Sequence, residues 1–323
     1  AIGVKSDGTI LRAGDNDTRD INCTGWDGII AVSVARDFVL GLRVDGTVVG
    51  TGYDYDQCAL FHRVSLWKDI VAISVGLCHA IGLKADGTVV AVSGNDEGEC
   101  NVDSWRNVVA ITGGSVHTVG LRSDGTVLAT GRNDEGQCNV GNWRNIIDIA
   151  AGDSHTIGLK SDGTISAIGN NVNGECNVSQ WRNIISVSAG AYHTVGLKAD
   201  GTVIATGRNS NGSCNVGGWR DIIAVVAGDF LTIGIKSNGT IVTTGDVAIC
   251  ANISKWKLFN SVDTLVTEQN QMGMRYRCIS LQRDRALLET ELNNLRGLFT
   301  GRRRKELAAK ISHIDDLLKG LNN

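Results

Sequence analysis

Two sets of side chains in this chain recur at a fixed interval and could bind metal ions or take part in redox chemistry. Thiolate and imidazole groups are common ligands of zinc, and paired thiols form disulfides. Seven of the nine cysteines share one position of an internal repeat, and four of the six histidines share another. The cysteines are Cys23, Cys58, Cys100, Cys138, Cys176, Cys214 and Cys250, and the histidines are His79, His117, His155 and His193.

The regular spacing of these side chains argues against a metal or disulfide site. If the repeats are arranged around a ring, equivalent residues lie farther apart than the ~7 Å between Cα atoms that a disulfide can span, and too far apart for one zinc ion. We therefore interpret the cysteines as small buried apolar side chains and the histidines as hydrogen-bonded structural side chains. We expect no metal and no cofactor. Because persistent thiols favour a reducing compartment, we expect a cytoplasmic protein.

Composition and motifs also argue against several functional classes. The net charge of −3 and the pI of about 6.1 do not favour a nucleic-acid partner. No apolar run approaches the ~18 residues of a membrane span, so no membrane partner is expected. The sequence shows no nucleophile with its base, no phosphate-binding glycine loop and no carboxylate pair suited to acid–base chemistry. We expect no enzymatic activity.

The fold is indicated by the tripeptide Asp-Gly-Thr, which recurs at intervals of 38 or 41 residues. This period is typical of arrays in which each unit buries its apolar face only against its neighbours. Six copies are Asp-Gly-Thr and the seventh is Asn-Gly-Thr. They begin at Asp7, Asp45, Asp86, Asp124, Asp162, Asp200 and Asn238.

One repeat, residues 143–174, predicts a small antiparallel meander. Apolar residues from Ile146 to Ile149 indicate a first strand, and residues 156–160 and 165–168 indicate two more. Asp162-Gly163 between them is a two-residue hairpin signal. The sequence leaves open whether the following segment, Cys176-Asn177-Val178, adds a fourth strand.

Each end of the array carries only part of a unit. Residues 1–5 align with a second strand and lack a first one, whereas residues 256–262 align with a first strand and lack its continuation. The C-terminal segment can therefore complete the N-terminal sheet. We predict an all-β, seven-bladed β-propeller over residues 1–265, closed by the N- and C-terminal strands.

The repeated pattern W-R-N-I-I-x-x-x-A-G-x-x-H-T-x-G-L-K-x-D-G-T-V-x-A-x-G resembles the regulator of chromosome condensation repeat family, in its short bacterial form. The resemblance covers the predicted propeller and implies a seven-bladed propeller used for protein binding. Some members of the family are guanine nucleotide exchange factors, one group inhibits β-lactamases, and a plant member senses ultraviolet light. The short period is most similar to the β-lactamase inhibitor branch.

Two of these activities find little support in the residues. Exchange in this family relies on a projecting β-wedge, and the three extra residues of the second repeat, near residues 59–65, are too few to form one. The tryptophans recur just before a strand in every repeat, so we interpret them as packing residues rather than as light-sensing residues.

One face of the predicted propeller varies from repeat to repeat, whereas the opposite face carries the nearly invariant Asp-Gly hairpins. The variable loops connect the first and second strands or follow the third strand. Variation among internal copies means that the fold does not dictate these residues, so we predict a binding surface there; the alternative is drift of loop tips. The carboxylates favour a protein partner with a basic or mixed-charge surface. The candidate residues are Asp37, Phe38, Tyr53, Tyr55, Asp96, Glu97, Asp134, Glu135, Asp153, Tyr192, Asp229 and Phe230.

The periodicity changes in the C-terminal part, residues 266–323. Its leucines and isoleucines, from Leu281 to Leu321, fall at helical spacing, with a heptad pattern in the second half. We predict an antiparallel helical hairpin or coiled coil that turns near Gly301. Residues 268–321 would then serve self-association or coupling to another module, with the basic run 302–305 as a solvated turn.

The leading hypothesis is a non-catalytic bacterial scaffold that binds a protein partner through the variable face. An inhibitor of a specific enzyme, as in the β-lactamase inhibitor branch, is the alternative, and a guanine nucleotide exchange factor is the least favoured.

Overall fold

The computed structural model describes residues 2–4, 10–12, 21–35, 38–52, 60–92, 95–246, 250, 253 and 311–312. The chain divides into two compact units, Ala1–Ser261 and Val262–Asn323. The predicted closing strand at residues 256–262 lies outside the described residues. So does the predicted helical hairpin, apart from residues 311–312, which are helical. Both stay predictions.

The described part of the first unit is all-β, as predicted, and contains six antiparallel sheets of three strands, which are typical of propeller blades. A further pair of strands lies at its start. In chain order the strands are β1 (Ile2–Val4), β2 (Ile10–Arg12), β3 (Ile29–Val34), β4 (Phe38–Arg43), β5 (Val48–Gly52), β6 (Ile70–Val75), β7 (Ala80–Lys84), β8 (Val89–Val92), β9 (Val108–Gly113), β10 (His117–Arg122), β11 (Val127–Gly131), β12 (Ile146–Ala151), β13 (His155–Lys160), β14 (Ile165–Gly169), β15 (Ile184–Ala189), β16 (His193–Lys198), β17 (Val203–Gly207), β18 (Ile222–Ala227), β19 (Leu231–Lys236) and β20 (Ile241–Gly245).

The Asp-Gly-Thr motif forms the hairpin between the second and third strands, as predicted. Between β13 and β14, Asp162 Oδ1 accepts hydrogen bonds from the Thr164 amide at 2.9 Å and the Thr164 hydroxyl at 2.6 Å. These bonds stabilise the carboxylate and lower the pKa of Asp162. Gly163 has φ of +77°, a conformation that most other residues adopt only with strain.

The segment that follows the third strand forms turns rather than a fourth strand. At Cys176 the backbone amide donates to Asn171 Oδ1 at 2.8 Å, and the amide group of Asn171 bonds the Asn177 side chain at 3.1 Å. The asparagines thus occupy backbone groups that a strand would need for its ladder. Val178 is buried and fixes the segment to the sheets on either side. In the second repeat this place is taken by a short helix, α1 (Leu60–Ser65), with Val64 buried in the same way.

Neighbouring sheets are joined by buried hydrogen bonds that start at the histidines. His155 Nε2 lies 3.1 Å from Thr194 Oγ1 of the next sheet, and this hydroxyl donates to the Glu175 carbonyl at 2.8 Å. The threonine hydroxyl has one hydrogen and donates it to the carbonyl. Its oxygen can therefore only accept from the histidine, which must carry its proton on Nε2 and donate it. The same relay begins at His79, His117 and His193. The histidines are therefore structural, as predicted.

Each of the six tryptophans that the structure describes packs on a glycine in the middle of the second strand of its sheet. At Gly158, an added Cβ would lie 2.6 Å from Cζ3 of Trp143, so only glycine fits beneath the ring. Arg144, the next residue, donates from Nη1 to the Trp143 carbonyl at 2.7 Å and the Gly141 carbonyl at 2.8 Å. The Trp-Arg pair thus fixes the entry to the first strand, which agrees with the prediction of a packing role.

The repeated cysteines that the structure describes are only half-buried, which corrects the expectation of buried side chains; Cys58 lies outside the described residues. The thiol of Cys138 donates to the Arg132 carbonyl at 3.4 Å, and that of Cys176 to the Asn170 carbonyl at the same distance. Partial burial raises the pKa of both thiols to about 11, so they stay protonated at neutral pH.

We expect Gly158→Ala to destabilise the protein by about 1–3 kcal/mol, because the added methyl group forces the Trp143 ring out of its place. Gly141→Ala is the matched control, since no atom lies within 4 Å of its added Cβ. The free energy of unfolding in urea measures both. Equal stability of the two variants would contradict the packing argument.

We expect the free energy of unfolding to decrease as pH is lowered from 7 to 5. Burial lowers the pKa of His79, His155 and His193 to about 4 and that of His117 to about 3, whereas an unfolded histidine titrates near 6.5. The stabilisation that comes from keeping these histidines neutral is complete above pH ~6.5. It is lost as pH falls toward the pKa of the folded state, and the loss is about 1–2 kcal/mol per histidine at pH 5.

His155→Gln is the informative variant for this pH dependence, because the glutamine amide can still donate to Thr194 but does not titrate. Urea titrations at pH 7, 6 and 5 should show a shallower pH dependence for the variant. An identical slope in the two proteins would mean that His155 is not the titrating group.

Candidate protein-interaction face

The variable face consists of the loops between first and second strands and the turns after third strands, and its inner loops form a continuous surface. The Leu77 amide donates to the Ser115 carbonyl at 3.1 Å, and the Ser115 amide donates to the Asp153 carbonyl at 3.3 Å. The Asp153 amide in turn donates to the Ala191 carbonyl at 3.3 Å. These bonds hold four successive loops side by side.

Two of the predicted residues, Tyr192 and Phe230, form an aromatic pair on this face. Their ring centroids lie 6.3 Å apart with an interplanar angle of 34°. The guanidinium carbon of Arg208 lies 5.7 Å from the Tyr192 centroid and 6.0 Å from the Phe230 centroid. One cation therefore contacts both rings, in the range of cation–π interactions.

Two predicted carboxylates, Asp153 and Asp229, lie beside the aromatic pair. Asp153 is the largest cause of a raised pKa of Tyr192, through its negative charge and a side-chain hydrogen bond, and Asp229 contributes in the same direction. The other oxygen contact of Asp153 is with Ser115, whose hydroxyl donates to Oδ1 at 3.0 Å. The structure thus brings together four predicted residues and an arginine.

The loop that carries Phe230 is held from two sides. Asn211, in the turn after β17, donates from its side-chain amide to the Phe230 carbonyl at 2.6 Å. The Asp246 amide, at the end of β20, donates to the same carbonyl at 3.0 Å. Phe230 itself is 45% exposed. The ring is therefore presented to solvent on a fixed backbone.

The remaining predicted carboxylates, Asp96, Glu97, Asp134 and Glu135, are exposed on two turns that follow third strands. Asp134 pairs with Arg132 at 2.6 Å, and this pairing raises the pKa of Arg132. Each turn is held against the next sheet; for example, the Thr130 hydroxyl donates to the Gly98 carbonyl at 2.9 Å. These four residues belong to the variable face but not to the aromatic cluster.

Phe38 is a correction to the predicted site. It is only 3% exposed and lies in a core cluster with Leu40 and Leu42. The reason is its position: Phe38 stands where four other repeats have the buried histidine and one has the buried Leu231, at the start of a second strand. The predicted residues Asp37, Tyr53 and Tyr55 lie outside the described residues.

Sequence reasoning missed three side chains that shape the aromatic cluster, namely Arg208, Ser115 and Asn211. A comparison of equivalent positions in the repeats does distinguish Arg208. Arg132 occupies the equivalent position and is followed at +2 by Asp134, whereas Arg208 is followed at +2 by Ser210. Arg208 Nε donates to the Ser210 hydroxyl at 3.0 Å, which leaves its charge without the carboxylate partner that Arg132 has in its own turn.

Among the residues that the structure describes, no three His, Cys, Asp or Glu side chains are placed to hold a metal ion. The described helices are also too short and polar to cross a membrane. What the variable face does offer is exposed aromatic and charged side chains on a backbone fixed by hydrogen bonds.

Three consecutive stretches of the chain, residues 108–137, 146–175 and 184–213, match the model of the Regulator of chromosome condensation (RCC1) repeat. These three stretches are RCC1 repeats. Each match runs from a first strand through the hairpin to the buried residue before the repeated cysteine, so the predicted resemblance is confirmed. No curated protein matches the chain.

Several solved structures are similar to this chain in fold, at low sequence identity. The ectodomain of the Physcomitrella patens receptor kinase CR4 is 20% identical, with a TM-score of 0.57, over 68% of this chain and 63% of that ectodomain. Prp20p from Saccharomyces cerevisiae, studied for its binding to Gsp1p and histones, is 17% identical, with a TM-score of 0.57. The match covers 72% of this chain and 75% of Prp20p. Human WBSCR16 is 17% identical, with a TM-score of 0.58, over 72% and 80%. The match to CR4 spans less than two thirds of that ectodomain, and all three similarities concern the fold.

Proposed function

We propose that this chain is a non-catalytic scaffold that binds a protein partner through the variable face of its RCC1 repeats. The observation that carries the proposal is the aromatic pair. Tyr192 and Phe230 occupy one repeat position in consecutive sheets, and the equivalent residues in earlier repeats are Cys78, Val116 and Ser154. The fold therefore does not require aromatic residues there.

Exposed aromatic side chains on a fixed backbone are typical binding hot spots, because they bury a large area at a small cost in side-chain entropy. Both loops of the aromatic pair are fixed by backbone hydrogen bonds, including Arg208 amide to Tyr192 carbonyl at 2.8 Å. Other apolar side chains extend the surface. Leu77 and Val172 are exposed on the same face.

The charge of the face supports a partner with a basic or mixed-charge surface. Apart from the buried Glu99 and Glu175, its described loops carry seven carboxylates and two arginines. Such an excess of one sign increases the rate of encounter with surfaces of the opposite sign and disfavours acidic partners. Prp20p, a relative in fold, was studied for its binding to Gsp1p and histones, which supports a protein as the partner here.

We also propose that the array closes into seven blades. The β1–β2 pair contacts β3 of the next sheet and carries only the second and third strands of its unit. A first strand from residues 256–262 would complete it. Closure would protect the strand edges, which otherwise remain available for non-native pairing.

The proposal of a protein without exchange activity is supported by the second repeat. Its three extra residues lie where the chain forms α1, a six-residue helix, rather than a projecting β-hairpin. The described cysteines of the repeat position are free thiols, and because free thiols persist in reducing compartments, we propose a cytoplasmic or other reducing location.

For partner binding, we expect the double variant Tyr192→Ala/Phe230→Ala of the full chain to recover at least about tenfold less partner in a pull-down, because hot-spot truncation costs more than 1–2 kcal/mol. Val44→Ala is the matched control, since Val44 is 57% exposed beside the Asp-Gly hairpin on the opposite face. Circular dichroism melts check that the variants fold. Equal recovery by the double variant and the wild type would refute binding through this face.

For assembly, we propose that residues 268–321 associate as helices, and we expect Ile314→Asp/Leu318→Asp to lower the mass of any oligomer to that of one chain. Charges placed on a heptad seam disfavour helix association. Light scattering after gel filtration gives the mass. Lys310→Asp, which lies off the seam, is the control, and an unchanged oligomer in the double variant would contradict the assembly role.

A further inference from the structure

We propose that the aromatic pair is a receptor for one cationic side chain, a lysine or arginine of the protein partner, and that Arg208 occupies this place in the unbound chain. The inference rests on the proposed function and deepens it by naming the chemistry of the partner. It depends on three independent observations on Tyr192, Phe230 and their surroundings.

The first observation is the geometry of the pair. The rings are 6.3 Å apart and tilted by 34°, so their faces converge on one volume. The guanidinium carbon of Arg208 lies within 6.0 Å of both ring centroids. Aromatic faces carry a negative quadrupole, and two faces directed at one point attract a cation more strongly than one. The arrangement is therefore already selective for positive charge.

The second observation is the weak attachment of Arg208. The side chain is exposed, and its Nε donates to the Ser210 hydroxyl at 3.0 Å. Arg132, at the equivalent position two repeats earlier, is held in its own turn by Asp134 at 2.6 Å. There the nearest equivalents of the aromatic pair are Val116 and Ser154, and no ring contact is made. Arg208 can thus leave the rings without breaking an ion pair within its turn.

The third observation is the charge around the rings. Asp153 bonds Tyr192, Asp229 lies close enough to raise the pKa of the same phenol, and Asp246 follows β20 next to the Phe230 loop. If Arg208 moves away, two ring faces and these carboxylates surround a volume without positive charge. A partner carboxylate at this place would meet like charges and the negative ring faces. A lysine or arginine would replace the interactions that Arg208 gives up.

Competition by Arg208 gives the proposal a distinctive test. The probes are terminally blocked pentapeptides, Gly-Gly-X-Gly-Gly, with arginine, lysine, citrulline or glutamate at X. Binding to the full chain is followed by NMR of labelled tyrosine and phenylalanine rings, of which there are only four and five. We expect the arginine and lysine peptides to shift the Tyr192 and Phe230 signals. Citrulline, the neutral isostere, should bind about threefold to fivefold more weakly, and glutamate should give no shift.

The Arg208→Ala variant shows whether Arg208 competes with the partner's cation for the aromatic pair or instead helps to bind the partner. We expect it to bind the arginine peptide about threefold more tightly than the wild type, because the internal cation has been removed. Arg132→Ala is the control and should leave peptide binding unchanged. Weaker binding by Arg208→Ala, binding of the glutamate peptide, or the absence of ring shifts with both cationic peptides would each overturn the proposal.

The same variants separate this inference from the proposed function. If Tyr192→Ala/Phe230→Ala loses the natural partner while the cationic peptides give no shift, the variable face binds protein but the cation receptor is wrong. If partner recovery is retained, the proposed function itself fails. If the partner is lost and the cationic peptides bind as described, both stand.

Discussion

The structure depends on four buried neutral histidines, each of which joins one sheet to the next. Each relay places an imidazole, a threonine hydroxyl and a backbone carbonyl in a fixed order, so every polar hydrogen along it has an acceptor. We call the boundary between two neighbouring sheets a seam. A buried polar group without a hydrogen-bond partner at such a seam would destabilise the protein by more than one hydrogen bond stabilises it. The relay therefore sets the register of neighbouring sheets, because a shift by one residue would leave both hydroxyl and imidazole unsatisfied.

This seam also explains why the two faces differ. The histidine starts the second strand, so the loop just before it lies outside the seam, on the variable face. There the loops are held by backbone hydrogen bonds, such as Ser115 amide to Asp153 carbonyl, which place no demand on the side chains. On the opposite face the hairpin is held together by its own side chains, since Asp162 and Thr164 form the hydrogen bonds that close the turn. Side chains are therefore free to vary only on the first face.

Features that local chemistry determines could be predicted from the sequence. Features that depend on contacts with neighbouring repeats could not. Strands, hairpins and the structural histidines follow from alternation and from the Asp-Gly signal. The position of Phe38 could be misread because a residue at the start of a second strand is adjacent to the variable loop in sequence but faces the core. Arg208 was missed because its role depends on rings 16 and 22 residues away in the chain, in two different sheets.

The repeats themselves provide the control that a single sequence usually lacks. Six described sheets share one set of packing demands, so a residue common to all of them, such as the glycine beneath the tryptophan, is explained by the fold. A residue that departs from its equivalents must be explained otherwise when it is exposed and its backbone is unchanged. Phe38 departs from the histidine position but remains buried, and the core accounts for it. Tyr192 and Phe230 depart from theirs, and neither is buried: Tyr192 is partly exposed and Phe230 is 45% exposed. Packing within the chain gives no reason for two large rings there. Binding to another molecule does give a reason.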